Sequence, residues 1–169
     1  PAMQADFFRL CFMLRRGGLY VDANDVFQGA GIEHLSQDTR LKLQPLCYDI
    51  ESASMLDPAQ AITQPHGKRI FYVNNNPLAA PPGHPVIARA LERATAALEL
   101  GEGGRDIQSL TGPGNLTAAL VAHAVEAERA GTARDFVLLD GWDSIAVSKW
   151  PLEYRSSDRN WRNWARSDD

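Results

Sequence analysis

The stretch that decides the fold is "ADFFRLCFMLRRGGLYVDANDVF", residues 5–27. Helical spacing runs from 4 to 16, with Phe7, Leu10, Cys11 and Leu14 as an apolar stripe and Asp6, Arg9, Met13 and Arg16 on another side. Gly17 and Gly18 end that helix, the usual punctuation at a C-terminus. "LYV" then predicts a short buried strand closing on Asp22, with Asn24 and Asp25 crowded behind it. Oxygen-bearing side chains placed there have two readings. In open α/β sheets ligands collect beyond the carboxyl ends of the strands, and Mg²⁺ or Mn²⁺ takes one or two carboxylates while phosphate and water complete its shell. Asp22 and Asn24 point the same way in an extended segment, whereas Asp25 faces elsewhere unless the chain turns at once. The same residue types also simply turn and cap a chain after a strand.

Outward from this stretch the pattern alternates between strands and helices. "FQGAGIEHLSQD" reads as a loop with a helical turn, "LKLQPLCYDI" as one or two strands, and "ESASMLDPAQAITQPHG" as loop. "KRIFYVNNN" is a clearer strand that ends in three asparagines. Pro77, Pro81, Pro82 and Pro85 then exclude a helix interior, so residues 77–85 are extended or turning. The clearest helix spans about 85–99, with Pro85 in its first turn and Val86, Ile87, Ala90, Leu91, Ala94 and Leu98 on one face. "GEGG" breaks it. A second long helix is expected at about 115–129 with Asn115 as its N-cap, followed by a strand, "DFVLLD", ending at Asp140. This order predicts an α/β fold with a parallel or mixed sheet. No domain boundary is evident, so residues 1–169 are expected to form a single domain, with a polar tail at 141–169 that holds all four tryptophans.

The bulk properties narrow the classes. A chain of 169 residues, 44% of them apolar, can bury a real core. Its formal charge of −4 disfavours nonspecific nucleic-acid binding, although "KWPLEYRSSDRNWRNWAR" mixes bases and tryptophans as stacking sites do. No apolar run reaches membrane-spanning length, and "PAMQADFF" lacks the charged and apolar regions of a signal peptide. Cys11 and Cys47 have no metal or redox spacing and read as buried free thiols, which fits a cytoplasmic location.

The opening stretch resembles the core signature of the DXD-containing sugar transferases. These are GT-A-type enzymes related to capsular polysaccharide, yeast mannosyl and clostridial toxin glucosyl transferases. Asp6 and Arg9 match the family's Asp-x-x-Arg helix pair, Gly17 and Gly18 its glycines, Tyr20 its strand aromatic and Asp22 its first aspartate. "FYVNNNPLAAPPGHPVIARAL" and "LTGPGNLTAAL" are similar to two later family segments, in the right order over roughly residues 5–120. The resemblance implies a partial GT-A-like sheet flanked by helices. It implies metal-dependent transfer of a sugar, with retained anomeric configuration, from a nucleotide-sugar donor to a glycan or other hydroxyl acceptor. Asp22, Asn24 and Asp25 would form the catalytic, metal-holding group for Mn²⁺ or Mg²⁺. Asp6 and Arg9 would contact the donor sugar or ribose, Tyr20 would line the site, and Asn75 would reach sugar hydroxyls. Thr111, Gly112 and Pro113 would shape the acceptor side or orient the second long helix. Trp164, or Trp161, would stand in for a late family tryptophan, the other reading of tryptophans in a polar tail being helix docking or a dimer contact. His84, between glycine and proline, reads as structural.

Two departures from the family pattern stand out. Asn24 replaces the second aspartate, so a metal there would be held by a neutral amide unless Asp25 takes over. No counterpart of the family's opening strand and α/β unit precedes Asp6, so the chain resembles the C-terminal part of such a domain. An exposed sheet edge would follow, which a homodimer would cover. The alternative function is a noncatalytic oligomeric or sugar-binding protein on a truncated transferase scaffold.

Overall fold

The computed structural model describes residues 2–29, 31–64, 67–101, 106–139 and 141–148. Helix α1 (Ala2–Arg16) leads into strands β1 (Gly18–Tyr20) and β2 (Asp25–Phe27). Strands β3 (Leu41–Asp49) and β4 (Ser54–Leu56), helix α2 (Pro58–Thr63) and strand β5 (Arg69–Ala80) follow. Helices α3 (Pro85–Glu99), α4 (Ile107–Leu110) and α5 (Pro113–Ala130) precede the short strands β6 (Phe136–Leu138) and β7 (Ala146–Ser148). The main sheet has the order β1-β5-β3-β4, with β6 also beside β3, and β2 and β7 form a separate ribbon. The sheet is mixed, but β3–β6 is its one parallel pair among the described residues. Antiparallel pairing dominates because β3 and β5 run back along one another through the short α2 link, without a crossover helix.

Period-two alternation gives this sheet two different faces. Leu41, Leu43, Leu78 and Ala80 face the helices and pack with Leu10, Met13, Val86, Ile87, Ala90, Leu116 and Leu120. Burying each of the larger side chains contributes roughly 1.5–3 kcal/mol. Leu43 is fully buried, and cutting it to alanine would cost about 2–5 kcal/mol through lost transfer energy and a cavity. On the opposite face Leu19 packs with a smaller cluster of Leu35, Trp142 and Ala146. The first residues of the tryptophan-rich tail therefore fold onto the sheet.

Four local expectations change. The buried side of α1 is Arg9, Leu10 and Met13, so Met13 lies in the core while Phe8 and Phe12 are exposed. Residues 51–64 carry β4 and α2, the latter capped by Asp57 and opened by Pro58, rather than loop alone. α5 starts at Pro113 with Gly112 as its N-cap, so Asn115 does not cap it. Asn115 is instead buried, donating to the carbonyl of Ala90 at 2.7 Å and accepting from Arg93 Nε at 3.1 Å.

The fourth change positions the site. β5 does not stop at its asparagines. Leu43 pairs with Leu78 and Pro45 with Val73, so residues 74–77 stand opposite Gln44 alone. This bulge removes the asparagines and Pro77 from the ladder, where a proline could not donate. Asn74 Nδ2 donates to Gln44 Oε1 at 3.0 Å and fixes the bulge. Beyond it, Ala80 and Pro82 press on the end of α1. A Cβ on Gly17, whose φ is +63°, would lie 2.6 Å from Pro82 N, so only glycine fits.

Candidate functional site

Helix α1 brings Asp6 and Arg9 to the end of β1, and Arg9 is 5% exposed. Its Nη1 donates to Asp6 Oδ1 at 3.1 Å, and its Nη2 donates to Asp22 Oδ1 at 3.1 Å and to Tyr20 Oη at 3.3 Å. The guanidinium carbon also lies 4.3 Å from the centre of the Tyr20 ring, a cation–π distance. Arg9 Nε is buried and makes no hydrogen bond among the described residues. One guanidinium thus joins a helix, a strand and the turn after the strand.

Asp6 is the second hub. It accepts from Asn75 Nδ2 at 2.8 Å, and Thr111 Oγ1 lies 3.4 Å from its other oxygen. Burial pushes its carboxyl above the ordinary value of 3.8. Arg9, Asn75 and Thr111 pull it back, and the Asp22 charge adds a smaller upward push.

The third hub, Asn76, escaped the sequence reading, which favoured Asn75. The Asp22 amide donates to Asn76 Oδ1 at 2.8 Å, while Asn76 Nδ2 donates to Asp25 Oδ2 at 2.9 Å. The chain does turn at once after the strand, because the Asp25 amide donates to the Asp22 carbonyl at 3.0 Å. Asn24 lies within this turn. No local signal marks Asn76, because residues 74–77 leave the β3–β5 ladder in a bulge where period-two alternation does not hold.

The structure therefore gathers Asp6, Arg9, Tyr20, Asp22, Asp25, Asn75 and Thr111. Gly112 and Pro113 sit next to Thr111 as the cap and first residue of α5, with the Gly112 amide donating to Ile107 O at 3.0 Å. Trp161, Trp164 and Asp140 lie outside the described residues.

Among the described residues, no group of three or more His, Cys, Asp or Glu side chains is arranged to hold a metal ion. The turn instead offers the two carboxylates of Asp22 and Asp25, held through Oδ1 and Oδ2 respectively. That donor set fits Mg²⁺ or Mn²⁺ where phosphate oxygens and water complete the shell, and does not suit an all-protein site. A separate concavity of about 470 Å³ opens on the other face, lined by Leu19, Ile32, Leu35, Lys42, Ala79 and Pro81 among others. Asp6, Arg9, Asp22 and Asp25 do not line it, so it is not the pocket of this cluster.

The described chain overlays on the solved structure of PaToxG Glycosyltransferase with a TM-score of 0.52 at 20% identity, over 76% of this chain and 38% of that one. The fold is GT-A-like. In sequence the chain is 27% identical over 132 residues to the initiation-specific alpha-1,6-mannosyltransferase of Schizosaccharomyces pombe, a match covering 72% of this chain. The chain spans 31% of the length of that relative. No family model matches. The likeness to GT-A-fold glycosyltransferases is thus distant in both sequence and structure. Among the described residues, no helix is long and apolar enough to cross a membrane.

Proposed function

We propose that the cluster around Asp22 is the donor side of a metal-dependent glycosyl transfer site, using a nucleotide sugar and a hydroxyl acceptor such as a glycan. The observation that carries this reading is the double tether of one turn. Arg9 holds Asp22 from α1, and Asn76 holds both Asp22 and Asp25 from the β5 bulge. Carboxylates fixed this way keep their positions before any ligand arrives, so little ordering cost remains on binding.

Asp22 and Asp25 would hold Mg²⁺ or Mn²⁺ together with the donor diphosphate, and the Asn24 amide would be a neutral third oxygen in the same turn. The cation supplies electrostatic stabilisation of the negative charge on the departing diphosphate. Arg9 keeps the two acidic groups, Asp6 and Asp22, apart yet neutralised, and places a buried cation behind them. Asp6, Asn75 and Thr111 form a hydrogen-bonding wall suited to sugar or ribose hydroxyls. Gly112 and Pro113 set the first turn of α5 beside that wall. Trp164 would add an aromatic face for a sugar ring. A second copy against the outer edge of β1 would add to the wall of the nucleotide site.

The test is calorimetric titration of UDP, and then GDP, into the purified chain with and without Mn²⁺, repeated on Asp22→Ala. Metal-dependent binding that weakens at least about 100-fold in the variant is expected, since a carboxylate that holds the metal, and through the metal the diphosphate, is lost. Binding that ignores both the metal and the substitution, or no binding at all, would overturn the transferase reading for this chain and favour the noncatalytic one.

A further inference from the structure

A second cluster of ionisable groups lies away from the carboxylates, where β5 turns into α3. His84 is 4% exposed and is the N-cap of that helix. Its Nδ1 accepts the Val86 amide at 3.3 Å, so the ring proton sits on Nε2, which donates to the Asp135 carbonyl at 3.2 Å. The same carbonyl accepts the Leu41 amide at 2.9 Å, beside the first pair of the parallel β3–β6 ladder. The Asp135 carboxylate receives His123 Nε2 of α5 at 2.7 Å through Oδ1, and its Oδ2 lies 3.5 Å from His84 Nε2. The neighbouring Gly83 amide donates to Leu14 O of α1 at 2.7 Å. A neutral imidazole therefore ties the start of α3 to the start of β6, at a corner that α1 and α5 also touch.

We infer that His84 is a pH-sensitive latch, which closes this corner when neutral and releases the cap of α3 when protonated. An imidazolium carries a proton on both nitrogens, so Nδ1 could no longer accept from Val86. Its charge would also face the positive end of the α3 dipole. Burial lowers the ring's affinity for a proton below the ordinary value of 6.5, against the pull of Asp135 and with the push of His123. Among the described residues, Asp135 before β6 and His123 on α5 are the ionisable groups that act on it. The unfolded chain thus takes this proton first as the pH falls. The latch is at full strength above about pH 6.5 and is lost as the pH falls through the lower folded value. Because Gly83 holds α1, and α1 carries Asp6 and Arg9, the loosening extends toward the carboxylate cluster. This inference does not depend on the transferase reading.

Thermal unfolding of the wild type, His84→Asn and His123→Gln between about pH 7.5 and about pH 5.5 tests it, with NMR titration of the His84 ring and of Val86 amide exchange in the wild type. Asparagine keeps a capping oxygen that does not titrate. The wild type should lose about 3 °C more than His84→Asn on acidification, roughly the effect of one lost cap in a domain of this size. His123→Gln, which removes the push of that ring on His84 but leaves the cap to Val86 in place, should still lose more than His84→Asn on acidification. The Val86 amide should lose protection as the His84 ring titrates, below the value of free histidine. Equal slopes for His84→Asn and wild type would overturn the latch. So would a His84 ring that titrates at or above the free value, or a Val86 amide indifferent to it, and these NMR outcomes decide the matter even if His84→Asn does not fold.

Discussion

Arg9 and Lys42 are both buried cations near β1, with side chains 6% and 4% exposed, yet they are held in opposite ways. Lys42 Nζ donates to Asp38 Oδ1 at 2.8 Å and to the carbonyls of Asp38 and Arg40 at 3.0 Å each. Those three bonds use every proton of an ammonium, and all the partners lie within four residues of Lys42. The arrangement is a self-contained clasp of one loop. Arg9 bonds to its own helix, to Tyr20 and to Asp22 thirteen residues away, and its Nε is left without a bond among the described residues. A cation with saturated local partners fixes a loop. One that draws acidic groups from separate elements fixes those elements against one another. The two carboxylates show the same contrast. Asp6 is pushed up by burial, whereas the exposed Asp38 is held well below the usual carboxylate range, first by Arg40 and then by Lys42.

After the loss of diphosphate binding in Asp22→Ala, the largest effect should come from Arg9→Ala. It leaves Asp6 and Asp22 beside each other with no cation, a cost of about 3 kcal/mol, moderated by the partial exposure of Asp22. Urea unfolding would read it as a lower midpoint at unchanged slope. Lys42→Met keeps the apolar stem in place and leaves Asp38 near solvent with Arg40, so its cost should be clearly smaller. Equal losses in the two variants would break the distinction between them.

Asn76→Ala should come next. It strips the Asp22 amide and the Asp25 carboxylate of their shared partner, a loss of about 1–2 kcal/mol and about tenfold in metal-dependent nucleotide binding. Asn74→Ala removes the bond to Gln44 and should weaken binding less. If the two variants bind alike, the bulge as a whole matters and the Asn76 tether does not.

That pair of asparagines also shows how far the sequence could be read. The helix and glycine pair of residues 5–27 follow from local rules of spacing and punctuation. The strand after them is half-buried rather than buried, ends at Tyr20 with Val21 exposed, and is followed by an unforeseen strand, β2. α3 matches its expected span of 85–99 because Pro85 and an apolar face mark it locally. The mixed α/β class followed from the alternation of such elements. The β5 bulge did not, since four residues standing opposite Gln44 is a property of pairing with β3, far away in sequence. Run as an isolated segment, "NNNP" looks like the end of a strand. The contact of Thr111 with Asp6 spans 105 residues and likewise leaves no local trace. Asn115 was misread for the converse reason. It has the residue type of a cap, but Gly112 and Pro113 begin the helix earlier and leave Asn115 to satisfy Ala90 inside the core.

The smallest effect expected is also the one that separates the two carboxylates by sign. Asp6 has a folded proton affinity above that of the unfolded chain, so its contribution to stability falls as the pH rises from about 3.8 through the folded value. Asp38 is depressed, so its contribution is present above 3.8 and is lost as the pH falls through its folded value. Chemical unfolding at a series of pH values should therefore show opposite changes of slope in Asp6→Asn and Asp38→Asn. Removing Asp6 should make stability rise more steeply with pH in the window just above 3.8, and removing Asp38 should flatten the acid side below it. Two changes of the same sign would mean that Arg9 outweighs burial at Asp6. The carboxylate behind Asp22 would then be a settled ion pair like the one at Lys42, with no electrostatic tension for a ligand to relieve.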